Sequence, residues 1–158
     1  MLALRQRYER EEEAGVAHPD LDTLLNPLLS FAQQMLAKQG TFFPFGASMR
    51  TDGEIAMAAG YTGDLRPEPV EIIELLVQGF REEAVTGAIR AAGICIDMRV
   101  VPPGGTDKTD AICAQLEHLE GDCVDVYLPY KKGWLGRFKF GQIFAVSRDT
   151  RVFATRPS

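Results

Sequence analysis

Glu117, His118 and Asp125 are the residues whose types and spacing could do chemistry in this chain. Two carboxylates that face each other can share a proton or a hard divalent cation, and a histidine can act as a base or a metal ligand. Whether they meet depends on the segment from Lys108 to Tyr130, which alternates as a β-hairpin with Ile112, Ala114 and Leu116 before the turn and Val124, Val126 and Leu128 after it. Both apolar sets reach one face only if the loop has an odd number of residues. A Glu120-Gly121-Asp122 loop sets Leu116 opposite Val126 and Glu117 opposite Asp125. Like charges directly opposed cost stability unless something positive lies between them. The strand Ile94 to Val101 carries Asp97 and Arg99 on its polar face, and is expected to add a third carboxylate and the neutralising guanidinium. His118 shares the parity of Leu116 and ends the core-facing row, where a bond to backbone or to a helix end satisfies it. No Ser, Cys or second His has the spacing of a catalytic dyad, since His18 lies before Pro19 in a loop.

Two further segments invite a functional reading. Pro102-Pro103-Gly104-Gly105-Thr106-Asp107-Lys108-Thr109 has the glycines of a phosphate loop, but Asp107 puts a negative charge beside the cradle and a strand pattern follows where a helix is needed. Lys131-Lys132-Gly133-Trp134-Leu135-Gly136-Arg137 combines cations with the single tryptophan. Such a loop stacks a base, grips a partner, or tucks its ring over the end of the sheet; Trp134, Lys131 and Lys132 here, with Arg99 on the polar face of the Ile94 strand, are the contact candidates.

The elements that must position these groups follow from periodicity. Met1 to Ala14 reads as a charged helical arm with few core-facing residues, so the domain boundaries are an arm over 1–16 and a single domain over 17–158. A helix over about Asp20 to Lys38 presents Leu21, Leu24, Leu25, Leu28 and Phe31, with Pro27 either kinking it or marking its first position after Asn26. Phe42 to Gly60 is a hairpin turning at Thr51-Asp52-Gly53, with Arg50 opposite Glu54. A helix over Glu68 to Gly87 follows, then the Ile94 strand, the Lys108 hairpin, a last strand over Arg137 to Val146, and a short Arg151 to Ala154 segment for an edge. The expected fold is α+β: a two-layer sandwich with an antiparallel sheet of about five strands, helices on one face, in the order α-β-β-α-β-β-β-β of profilin-like and roadblock-like domains.

Phe43-Pro44-Phe45 leading into Asp52-Gly53, then Asp110-Ala111-Ile112, Glu117-His118 and Leu128-Pro129-Tyr130, resemble a family of small uncharacterised bacterial proteins over about Gln39 to Tyr130. The resemblance implies a bacterial domain of unknown function and carries over no catalytic or binding residue.

Composition bounds the function. With 158 residues and a net charge of −5, the chain has no global field that attracts phosphate backbones, and no nucleic-acid partner is expected. Cys95, Cys113 and Cys123 are odd in number and lack metal-binding spacing, so neither disulfides nor a zinc site is expected. A charged N-terminus and no long apolar run point to a cytoplasmic protein, with no membrane span and no membrane partner expected. The sequence therefore favours a protein without cofactors that acts through protein contacts, as a homodimer or as a regulator, immunity-type or structural partner. The alternative is a small-molecule or divalent-metal enzyme centred on Glu117, Asp125 and His118.

Overall fold

In the computed structural model, which describes residues 18–60 and 62–153, helix α1 spans Pro19–Gln39. Pro19 presets the φ of the first turn, and Asp20 and Asp22 place negative charge at the positive end of the helix dipole. The helix continues through Pro27, which is therefore an interior residue and not a start after Asn26. The arm expected over 1–16 lies outside the described residues.

Strands β1 (Phe45–Arg50) and β2 (Ile55–Ala59) form the expected hairpin, with Met49 opposite Ile55 and the Arg50 N–H donating to the Glu54 carbonyl. Helix α2 (Pro69–Val85) stops before Thr86, which lets the next strand begin earlier than its apolar alternation suggests. That strand is β3 (Ile89–Val100), followed by β4 (Thr109–His118) and β5 (Cys123–Lys132). The expected single last strand is two: β6 (Phe138–Phe140) pairs with the end of β5, and β7 (Phe144–Ser147) pairs with its beginning. The antiparallel order β2-β1-β3-β4-β5-β6, with β7 also on β5, gives a curled half-barrel of seven strands in place of about five. The fold is α+β, and neither helix is long and apolar enough to cross a membrane.

The helices do not share a face. Leu21, Leu24, Leu25, Leu28 and Leu36 of α1 pack with Met49, Cys95, Ile112, Leu116 and Val126 in one core. Ile72, Leu76 and Phe80 of α2 pack with Ala92, Ile94, Val152 and Phe153 in another. Neighbours across a ladder point the same way, and Leu116 lies opposite Gly93, so Leu116 shares its face with Cys95 while Ile94 points to the other. Helices on one face would give a single core; instead two cores lie on opposite sides of β1 and β3, with Phe45, Leu116 and Val126 in the first, Leu76 and Phe80 in the second, and Ile73 and Ile96 packed against the second. Gly46 shows how close the second layer comes: a Cβ there would lie 2.8 Å from both the Phe80 ring and the Gly93 carbonyl.

Candidate functional site

The β4–β5 turn sets the geometry of Glu117 and Asp125. The His118 N–H donates to the Asp122 carbonyl, so the three loop residues are Leu119, Glu120 and Gly121, with Gly121 at φ 110° in the last position. A three-residue loop of this kind needs its positive φ there, which places the glycine last and not in the middle. The register therefore differs by two residues from the expected one: Glu117 faces Cys123, and Asp125 faces Gln115. Parity is unchanged, so both acids do share a face, but they are not opposed.

Neither acid looks into solvent. Glu117 is only 1% exposed, and its carboxylate accepts hydrogen bonds from the backbone N–H groups of Arg151 (2.9 Å), Val152 (2.7 Å) and Phe153 (2.6 Å). The Cys123 thiol adds a longer contact at 3.6 Å, and burial pushes that thiol up to about 12, so it stays protonated at neutral pH. Asp125 accepts from Arg148 Nε at 2.7 Å, while Arg151 bonds Gln115. Arg148 Nη1 also lies 3.9 Å from Glu117, so the neutralising charge comes from the chain after β7. Arg99 instead sits opposite Asp110, 3.8 Å from its carboxylate. Asp97, opposite Ile112, belongs to the α1 face and accepts from the hydroxyls of Tyr130 (2.6 Å) and Thr41 (3.2 Å). The expected cluster of three carboxylates with Arg99 does not form. The stretch expected to extend an edge is instead clasped through Arg151, Val152 and Phe153 over the second core, while Ala154 lies outside the described residues.

His118 points the other way. It lies opposite Ala91 on the α1 face, so the sheet separates it from Glu117 and Asp125. Its partner is one that sequence spacing hid: the His18 ring stacks on it, with centroids 3.6 Å apart and planes 15° from parallel. The Glu120 N–H donates to His118 Nδ1 (3.0 Å), which leaves the ring proton on Nε2 for Asp20 Oδ2 at 2.8 Å. His18 repeats the arrangement as the N-cap of α1: the Asp20 N–H donates to Nδ1 (3.1 Å), and Nε2 meets Glu120 Oε2 at 2.7 Å. Asp122 Oδ2 accepts from the His18 N–H at 2.7 Å. Arg90 completes the group, donating through Nη2 to Asp20 Oδ1 (3.2 Å), with Nε 3.0 Å from Oδ2 but off a hydrogen-bonding axis. Burial works to raise the Asp20 carboxyl, but hydrogen bonds from His118 and Arg90 and the guanidinium charge hold it below the ordinary value.

Ligand atoms of His18, Asp20 and His118 lie within 4.8 Å of one another, a spacing that could hold a metal ion. The hydrogen bonds assign them other work, because both Nδ1 lone pairs are used by backbone N–H groups and Asp20 by Arg90. What this cluster does is fasten the start of α1 to the β4–β5 turn. The void beside Glu117 and Arg148 has no room for a water molecule. The surface cavity of about 480 Å³ nearby is lined by Arg81, Val85, Leu119 and Phe153 and includes none of the three residues singled out by type.

The remaining candidate, the loop between β5 and β6, is a turn at Trp134–Gly136 in which no residue is buried. Trp134 is 86% exposed and does not tuck over the sheet. Leu135 adopts φ 60° and ψ 32°, the only non-glycine residue with positive φ among the described residues. No protein-family model, curated protein or solved structure matches the chain. Its function must be argued from its own geometry.

Proposed function

We propose that this chain is a non-enzymatic interaction module that adds a strand from a second copy of itself at β2. The observation that carries this reading is the state of that edge. Among the described strands none lies beyond β2, and its sequence, Ile55-Ala56-Met57-Ala58-Ala59, has no charge, no proline and no bulge. Natural edges are guarded by such devices, because their free N–H and C=O groups template further pairing.

The hydrogen-bond phase of the hairpin says which groups are free. Arg50 and Glu54 are a bonded pair, so bonded pairs recur at Ser48–Ala56 and Gly46–Ala58. Ile55, Met57 and Ala59 therefore direct their backbone groups away from β1. A second β2 laid antiparallel about Met57 sets Ile55 against Ala59 and Glu54 against Gly60, so no like charges are opposed. Ala56, Met57 and Ala59 are exposed and small enough in sum to permit close approach. The enzyme reading has less behind it, since Glu117 and Asp125 are engaged on one side of the sheet and His118 on the other.

Met57→Lys places a charge at the centre of the proposed pairing while leaving both cores untouched. Sedimentation velocity is expected to show a dimer for the wild type and a monomer with unchanged melting temperature for the variant. A monomeric wild type at all concentrations, or a dimer that survives Met57→Lys, would remove this interface.

A further inference from the structure

The Trp134 loop carries an inference that does not rest on the β2 edge. Residues 126–147 contain no Asp or Glu in a chain whose net charge is −5, yet they hold Lys131, Lys132, Arg137 and Lys139. All four are exposed, and none is ion-paired among the described residues. Lys131 and Lys139 are directly opposed across the β5–β6 ladder. Like charges so placed repel, and an external anion relieves the repulsion. Beyond them the chain turns through Gly133 and Gly136 and presents Trp134 and Leu135, 86% and 78% exposed, at the apex. Phe140, on the arm that returns from the apex, is also exposed.

The side chains are thus layered. Exposed apolar groups form the apex, and cations sit on both arms beside it. A lipid interface has the matching order, with acyl chains beneath a headgroup layer where tryptophan is favoured and where anionic lipids attract Lys and Arg. Leu135 supports the same assignment: a left-handed conformation that glycine would adopt freely is given to a large apolar side chain. We infer that the Lys131–Phe140 hairpin is a peripheral docking tip for an anionic lipid surface. Apolar insertion and charge attraction act together there, as stable peripheral binding requires.

The test uses the full chain with vesicles of phosphatidylcholine alone and of phosphatidylcholine mixed with phosphatidylserine. Because Trp134 is the single tryptophan, its emission reports the tip directly. Anionic vesicles are expected to co-sediment with the protein and move its emission to shorter wavelength, and added salt to weaken the binding. Leu135→Gly is expected to lower the affinity about tenfold, the scale of a lost buried leucine, while the melting temperature holds or rises. Trp134→Ser, followed by co-sedimentation, is expected to do the same. Absence of binding to anionic vesicles would overturn the inference, as would binding that both variants retain. Equal binding to soluble polyglutamate without an emission change would overturn it too, by showing attraction to acidic chains in place of insertion.

Discussion

Glu117 illustrates how a residue that invites a catalytic reading becomes part of the scaffold. A buried carboxylate is costly unless its lone pairs are filled, and here three consecutive backbone N–H groups fill them. Replacing it leaves those three donors buried without an acceptor, so Glu117→Ala is expected to cost about 3–5 kcal/mol, the range for breaking a buried ionic contact from one side. Chemical denaturation measures this, and a loss below about 1 kcal/mol, the size of an exposed pair, would contradict the role. The sequence showed that Glu117 and Asp125 share a face, because parity survives a register shift of two. It did not show which cations they meet. Arg148 and Arg151 lie beyond β7, and nothing local in the chain announces that they fold back. His18 was equally hidden, although Pro19 marks the start of a helix and so makes His18 a legible N-cap.

At the scale of elements, the hairpin at Thr51-Asp52-Gly53 was legible in full because its glycine occupies the last loop position. The same rule applied to Gly121 selects Leu119-Glu120-Gly121 and yields the observed register. The placement of the helices was harder to read. An apolar stripe on a helix says that it packs, but not on which side of a sheet. The signal was in the strand: Ala91-Ala92-Gly93-Ile94-Cys95-Ile96 is apolar without alternation, as strands covered on both faces are. Gly46 is the corresponding mark in β1, where α2 crosses. Gly46→Ala pushes a methyl against Phe80 and the backbone carbonyl of Gly93, and overpacking of this kind is expected to cost about 1–3 kcal/mol. Thermal melting would show it, and an unchanged or raised melting temperature would mean that α2 does not press on β1 as described.

On the scale of the whole molecule, the sheet divides the chain into two cores fastened at separate points. The stacked histidines tie α1 to the β4–β5 turn, and Glu117 ties residues 151–153 over the second core. Glu117, His118 and His18 are engaged in this fastening. The β2 edge is the surface on which the proposed association depends, and the hairpin phase distinguishes its residues by backbone direction. Residue-resolved amide hydrogen exchange at low and high protein concentration tests this most directly. The amides of Ala56 and Ala58, bonded to β1, are expected to be protected at both concentrations. Those of Ile55, Met57 and Ala59 are expected to exchange fast when dilute and to become protected when concentrated. Fast exchange of these three at every concentration would contradict the account, because the edge would then pair with nothing.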